Sequence, residues 1–171
     1  MSKEKYFIIV DMQVDFTTGA LANQAATDLI PAIVEKAKEL KKEGWTIVAT
    51  RDTHYADYLV TQEGKNLPVK HCEINTPGWE VVPEIAKVVD FYVNKDSFGH
   101  KEWFRDLKYG AEEIAMCGTC TGICVASNFA ILKAIFPETP ITVYKDLCAC
   151  LTPESHEAAI KTMSVQQAII K

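Results

Sequence analysis

No run of the chain is apolar for long enough to span a bilayer, and the first apolar stretch, Tyr6 to Val10, lacks the length and the small-residue pattern of a secretory leader. The expectation is a cytoplasmic protein with no membrane partner. Clustered positive charge is also missing. Lys and Arg number 18 against 23 Asp and Glu, and with a net charge of −5 and no basic run that tracks phosphates, nucleic acid is not an expected partner. There is no internal repeat, heptad pattern or low-complexity tract, which excludes a solenoid or a coiled coil. Cysteine is not scarce, but in a cytoplasmic chain six cysteines read as thiols, metal ligands or nucleophiles, not as a disulfide framework.

What is present is enough for one core. At 171 residues and 48% hydrophobic, the chain is expected to form a single domain over residues 1–171. Tyr6 to Val10 and Trp45 to Thr50 are unbroken aromatic and β-branched runs of the kind buried on both faces of a parallel sheet. Phe91 to Asn94, Ile114 to Cys117 and Ile141 to Tyr144 complete five predicted strands. Helical spacing marks Ala25 to Lys42, with Thr27 and Asp28 as caps and Gly44 as its stop, and Gly122 to Ile135. A short helix is expected over Lys101 to Leu107, and Thr152-Pro153 opens a last one with Ser155 to Ala168 as its body. Met12 to Asn23 reads as loop, and the long polar stretch from Asp52 to Pro83 needs something to pin it. Strands and helices alternating at this rhythm predict an α/β fold: a parallel sheet covered by helices on both faces.

Three predicted strands deliver reactive side chains at their carboxyl ends, where open α/β sheets place ligands. Asp11 follows the first, Lys95 the third, and the fourth runs into the turn Met116-Cys117-Gly118-Thr119-Cys120-Thr121-Gly122-Ile123-Cys124. Cys124 falls at a helix start, where the dipole favours a thiolate. Each residue alone has a plainer reading: a turn aspartate, a solvated lysine, a packed thiol. Together they supply a base, a cation and a nucleophile for attack on a carbonyl or nitrile, with backbone amides of Cys124 and of a residue in the preceding turn for the oxyanion.

A second group is Asp52, His54 and His71, with Glu63 as a further candidate. Asp-x-His puts both side chains on one side of an extended segment. Two imidazoles with one or two carboxylates suit a divalent zinc, iron or manganese ion. Cys117-x-x-Cys120 with Cys148-x-Cys150 also permits a structural zinc or a redox pair, against packing thiols as the plainer account. His100 and His156 read as surface or packing residues.

Val10-Asp11-Met12-Gln13-Val14-Asp15-Phe16 and Gly118-Thr119-Cys120-Thr121-Gly122-Ile123-Cys124-Val125 resemble the amino-terminal and nucleophile motifs of the isochorismatase-like cysteine hydrolases, in order and nearly end to end. The resemblance implies an Asp11, Lys95, Cys124 triad, a cis peptide at Thr119-Cys120 just before the Cys120 amide that would join that of Cys124 at the oxyanion, and a homodimer or homotetramer. Within that family Asp52-x-His54 and His71 resemble the metal site of the nicotinamidases, which implies a metal that orients a pyridine ring and no organic cofactor. Gln13, Phe16 and Phe98, with Trp103 and Trp79 as further candidates, are then expected beside a small amide substrate. The chain departs from many nicotinamidases in having Leu67-Pro68 where they carry a tryptophan before the second histidine. Another small amide, isochorismate, or a non-catalytic binding role on the same fold are the alternatives.

Overall fold

The computed structural model describes residues 4–171. Six parallel strands form one sheet: β1 Lys5–Val10, β2 Thr46–Asp52, β3 Phe91–Lys95, β4 Glu113–Thr119, β5 Ile141–Ala149 and β6 Ile169–Ile170, in the spatial order β3-β2-β1-β4-β5-β6. β1 and β4 are central and almost wholly apolar, so Phe7 to Val10 and Ile114 to Cys117 are sealed from solvent. The helices are α1 Val14–Thr17, α2 Gln24–Lys42, α3 Gln62–Asn66, α4 Pro83–Ala86, α5 Trp103–Asp106, α6 Ala126–Ile135 and α7 Pro153–Val165. The chain leaves β1 toward β2 and β3, then returns to β4 and proceeds the other way. Right-handed crossovers in opposite directions place their helices on opposite faces. α2 covers one with Ile33 and Ala37, and α6 the other with Phe129 and Leu132, all buried.

Several boundaries differ from those expected. Strands β2, β4 and β5 run past Thr50, Cys117 and Tyr144 because main-chain pairing continues through polar residues, as in Asp52 opposite Lys95 and Gly118 opposite Cys148. α2 is capped by Asn23, whose side chain accepts from the Ala25 N–H at 3.0 Å, and not by Thr27 or Asp28, which lie inside the helix. The expected loop after Asp11 holds α1. The last helix ends at Val165, where Gln167 at φ 72° turns the chain into the short edge strand β6. Gly118 requires its lack of a side chain: at φ 121° a Cβ there would lie 2.1 Å from the Val10 carbonyl oxygen, so only glycine lets β4 pair with β1 at that point.

Candidate active site

The direction of the sheet reverses between β1 and β4, and the crevice outside the carboxyl ends of two such strands is the general ligand position in open α/β sheets. Asp11 leaves β1 at φ 50°, a left-handed conformation held by Thr50 of β2. The Asp11 N–H donates to Thr50 Oγ1 at 3.0 Å, and the Thr50 hydroxyl donates back to Asp11 Oδ1 at 2.6 Å. Lys95, the last residue of β3, is buried and reaches across β2. Its Nζ lies 2.7 Å from Asp11 Oδ2, 3.0 Å from Asp52 Oδ1 and 3.6 Å from Cys124 Sγ. The contact at Asp11 Oδ2 is an ion pair without a directed hydrogen bond, so that oxygen keeps acceptor capacity. The structure thus brings Asp11 and Cys124 to the same ammonium, that of Lys95.

Cys124 does not open a regular α-helix as expected. β4 ends in a cis Thr119-Cys120 peptide, and Thr121–Val125 then form a wide π-helical turn before α6. The turn is tied down by Thr121, whose hydroxyl is 2.9 Å from His156 Nδ1, and by Asn128, which donates to the Cys124 carbonyl at 2.8 Å. Burial pushes the Cys124 thiol well above its ordinary value, Asp11 adds to the rise, and Lys95 opposes it. Burial likewise raises Asp11 against the pull of Lys95. Burial disfavours the Lys95 charge, but Asp11, Cys124 and Asp52 outweigh it and hold the ammonium. The arrangement sets a buried sulfur beside a carboxyl group and a fixed cation.

Asp52, His54, Glu63 and His71 converge, with one donor atom from each lying within 4.8 Å of the others. His54 Nε2 is 2.9 Å from Asp52 Oδ2 and 3.4 Å from Glu63 Oε1, and His71 Nε2 is 3.6 Å from the same Asp52 oxygen. His71 Nδ1 faces the Val69 carbonyl at 2.8 Å, and donation there fixes the tautomer that leaves Nε2 free to ligate. Two imidazoles and two carboxylates aimed at one point fit zinc, iron or manganese. Burial disfavours charge on Asp52, but Lys95, His54 and His71 hold it below the usual carboxylate range. Burial also opposes charge on His54, yet Asp52 and Glu63 raise it to about 9. Asp52 gives one oxygen to Lys95 and the other to this cluster.

Of the residues expected to touch substrate, Phe16 and Phe98 line a cavity of about 580 Å³ that also reaches Cys124, Asp52 and His71. Gln13, Trp103 and Trp79 do not line it. Gln13 is fully buried: its Nε2 donates to the carbonyls of Asp52 and Trp79 at 2.9 and 2.7 Å, and its Oε1 accepts from the Asp52 N–H at 2.8 Å, so it clamps the end of β2. The Trp103 indole donates to Asn128 at 2.9 Å behind the nucleophile turn, and Trp79 donates to Thr53 at 2.9 Å. Cys117, Cys120, Cys148 and Cys150 gather no metal-ligand set with His or carboxylate; the one such group among the described residues is that of Asp52. Sequence reasoning did not assign roles to Thr50, Asn128 and Asp15. Asp15 accepts from the N–H groups of Cys72 at 2.7 Å and Ala20 at 3.1 Å, fixing the segment that carries His71. For Asn128 the signal was available, since it lies one helical turn after Cys124.

A family model described as the isochorismatase domain matches residues 5–170. No curated protein matches the chain. Among solved structures, the pyrazinamidase of Pyrococcus horikoshii in complex with zinc is 29% identical, with a TM-score of 0.80 over 98% of each chain. The pyrazinamidase/nicotinamidase of Streptococcus mutans is 22% identical, with a TM-score of 0.84 over 98% of this chain and 100% of that one. PnC1 of L. infantum in complex with nicotinate is 17% identical, with a TM-score of 0.80 over 100% of this chain and 93% of that one.

Proposed function

Because the chain belongs to the isochorismatase-domain family of hydrolases, we propose that it is a cysteine-dependent amidohydrolase of the nicotinamidase type, converting nicotinamide and water to nicotinate and ammonia. The observation that carries the proposal is the placement of Lys95 Nζ within 2.7 Å of Asp11 and 3.6 Å of Cys124. Asp11 takes the thiol proton, Cys124 Sγ attacks the amide carbon, and Lys95 stabilises the thiolate as it forms. The Cys120 and Cys124 N–H groups hold the developing oxyanion. Asp11 returns the proton to nitrogen, the C–N bond breaks, ammonia leaves, and water hydrolyses the thioester. Asp52, His54, His71 and Glu63 would hold the divalent metal, which when bound orients the substrate ring. Phe16 stands over that end of the cavity, its ring centroid 5.5 Å from that of His71. Assembly into a homodimer or homotetramer is part of the same proposal.

Cys124→Ala is expected to abolish ammonia release from nicotinamide and pyrazinamide, and unchanged turnover would overturn the assignment. A chelator is expected to remove activity, with zinc, iron or manganese restoring it.

A further inference from the structure

Cys120 and Cys150 are of intermediate exposure, whereas the other four cysteines are buried. The two meet where the β4–β5 ladder ends. Gly118 pairs with Cys148 and Thr119 with Ala149, and the Thr119 hydroxyl donates to the Ala149 carbonyl at 3.3 Å. The next pair in that register is Cys120 with Cys150. Neighbouring strands run about 4.8 Å apart, within the Cα separations of about 4.4–6.8 Å that a disulfide spans. Cys150 Sγ faces the nucleophile turn: a Cβ built on Gly122, two residues after Cys120, would lie 3.6 Å from it. Burial pushes the Cys120 thiol up to about 11, and the Cys150 thiol beside it adds to the rise. Both sulfurs are within reach of solutes. Cys120 lines the cavity of about 580 Å³, and Cys150 lines an adjoining cleft of about 260 Å³, with Asn23 and Leu151 belonging to both walls.

We propose that Cys120 and Cys150 form a reversible disulfide with a low-molecular-weight disulfide such as oxidised glutathione, and that the bond displaces the nucleophile turn and slows turnover. The pairing of the sulfurs rests on the strand register and the Gly122 contact; the effect on turnover rests on the amidohydrolase reading. Because the Cys120 thiol is held protonated, the first attack falls to Cys150. Its thiolate adds to one glutathione sulfur, the glutathione S–S bond breaks, and the departing thiolate takes up a proton. Cys120 then loses its proton and attacks the Cys150 sulfur of the mixed disulfide, and the second glutathione leaves with that proton. Two protein thiols are oxidised and one glutathione disulfide is reduced to two thiols, and excess reduced glutathione runs the same steps backward. Exposed disulfides are the labile, regulatory kind. The new bond is about 2.05 Å long, shorter than any contact between free thiols, so closing it draws the end of β4 toward β5. The Cys120 N–H proposed for the oxyanion moves with it, and a displacement of about 1 Å at a reacting centre costs about a hundredfold in rate.

The zinc-loaded protein would be equilibrated in glutathione buffers from fully reduced to fully oxidised, its remaining thiols blocked with N-ethylmaleimide, and its peptides mapped by mass spectrometry without reduction. A peptide pair linked through Cys120 and Cys150 is expected to accumulate with oxidation. The kcat for nicotinamide should fall in parallel, by about tenfold or more at full oxidation, and reduced glutathione should restore it as the linked pair disappears. Cys150→Ser, with Cys150→Ala as a second variant, is expected to keep wild-type turnover in reduced buffer and to lose none on oxidation. Absence of the linked pair at full oxidation overturns this inference and leaves the amidohydrolase reading standing. A linked pair with unchanged kcat, or an equal loss of activity in the Cys150 variants, also overturns it. A reduced protein that forms the linked pair but cleaves no amide overturns the amidohydrolase reading, and with it the effect on turnover, while upholding the disulfide.

Discussion

Lys95 is the side chain on which the two clusters balance, and Lys95→Met shows how much it contributes. Methionine occupies similar space, so the change is chiefly one of charge. The ammonium lies 2.7 Å from Asp11 and 3.0 Å from Asp52, and each contact amounts to about 6 kcal/mol of attraction at an effective dielectric of about 20. Lost hydration, several kcal/mol per ion, offsets much of that in the intact protein. Without the ammonium, Asp11 is 0% exposed beside Asp52, itself 2% exposed. Leaving buried charge unpaired costs about 3–5 kcal/mol. The loss depends on pH with a definite sign. Burial already raises Asp11 above 3.8 against the pull of Lys95, and removing that pull raises it further. The folded state then binds a proton that the unfolded state releases, so stability increases as pH falls through the folded value. Urea unfolding in chelator, followed by tryptophan fluorescence, should give the larger loss at pH 8 and the smaller at pH 5. The double variant Asp11→Asn, Lys95→Met should recover at least about 1 kcal/mol relative to additivity. A loss below about 1 kcal/mol, the same at both pH values and additive with Asp11→Asn, would refute the reasoning.

Three further outcomes are expected. In chelated protein His54 is raised from 6.5 to about 9, so its contribution is fully present below pH 6.5 and lost as pH rises through about 9; thermal melts should show wild type declining toward His54→Gln across that window, and a constant difference between the two would contradict it. Gly118→Ala places a Cβ 2.1 Å from the Val10 carbonyl oxygen at φ 121° and should cost about 3 kcal/mol or more in denaturant unfolding, whereas a neutral change would mean that the β1–β4 contact relaxes freely. Gln13→Leu strips partners from both backbone groups of Asp52 and should cost about 2–4 kcal/mol and weaken zinc binding about tenfold or more. Were Gln13 a substrate contact, KM alone would rise.

Apolar runs in Tyr6 to Val10 and Ile114 to Cys117 mark strands buried in a parallel sheet, and the residues at the carboxyl ends of such strands could therefore be placed at one edge from the chain alone. Two kinds of information were not legible. One is how far pairing continues beyond the apolar run: Arg51, Asp52 and Thr119 are polar, yet they remain in strands because their neighbours supply main-chain partners. The other is which way a polar side chain turns. Gln13 and Phe16 lie in the same short motif, but Gln13 points into backbone amides that would otherwise be buried without partners, and Phe16 faces the cavity. Spacing alone does not distinguish those directions. Nor was the extent of burial around Cys124 legible: it is a tertiary property, and it pushes the thiol well above its ordinary value.

The reversal of the sheet between β1 and β4 divides the chemistry unequally along the chain. Asp11, the whole Asp52 to His71 cluster and Lys95 precede β4, whereas Cys124 and the Cys120 and Cys124 amides proposed for the oxyanion follow it. In the proposed mechanism the first part of the chain is thus an acid-base and ligand-holding unit without a nucleophile, and the second a nucleophile without a base. They are joined through the exposed turn at Tyr109-Gly110 and registered by the pairing of Lys5 to Val10 with Glu113 to Gly118. A slip of one residue in that pairing would move sulfur relative to carboxylate by about 3.3 Å, enough to part them. Recovery of activity during refolding therefore reports the alignment of two strands more than a hundred residues apart, and measures whether the two halves of the molecule have found the same frame.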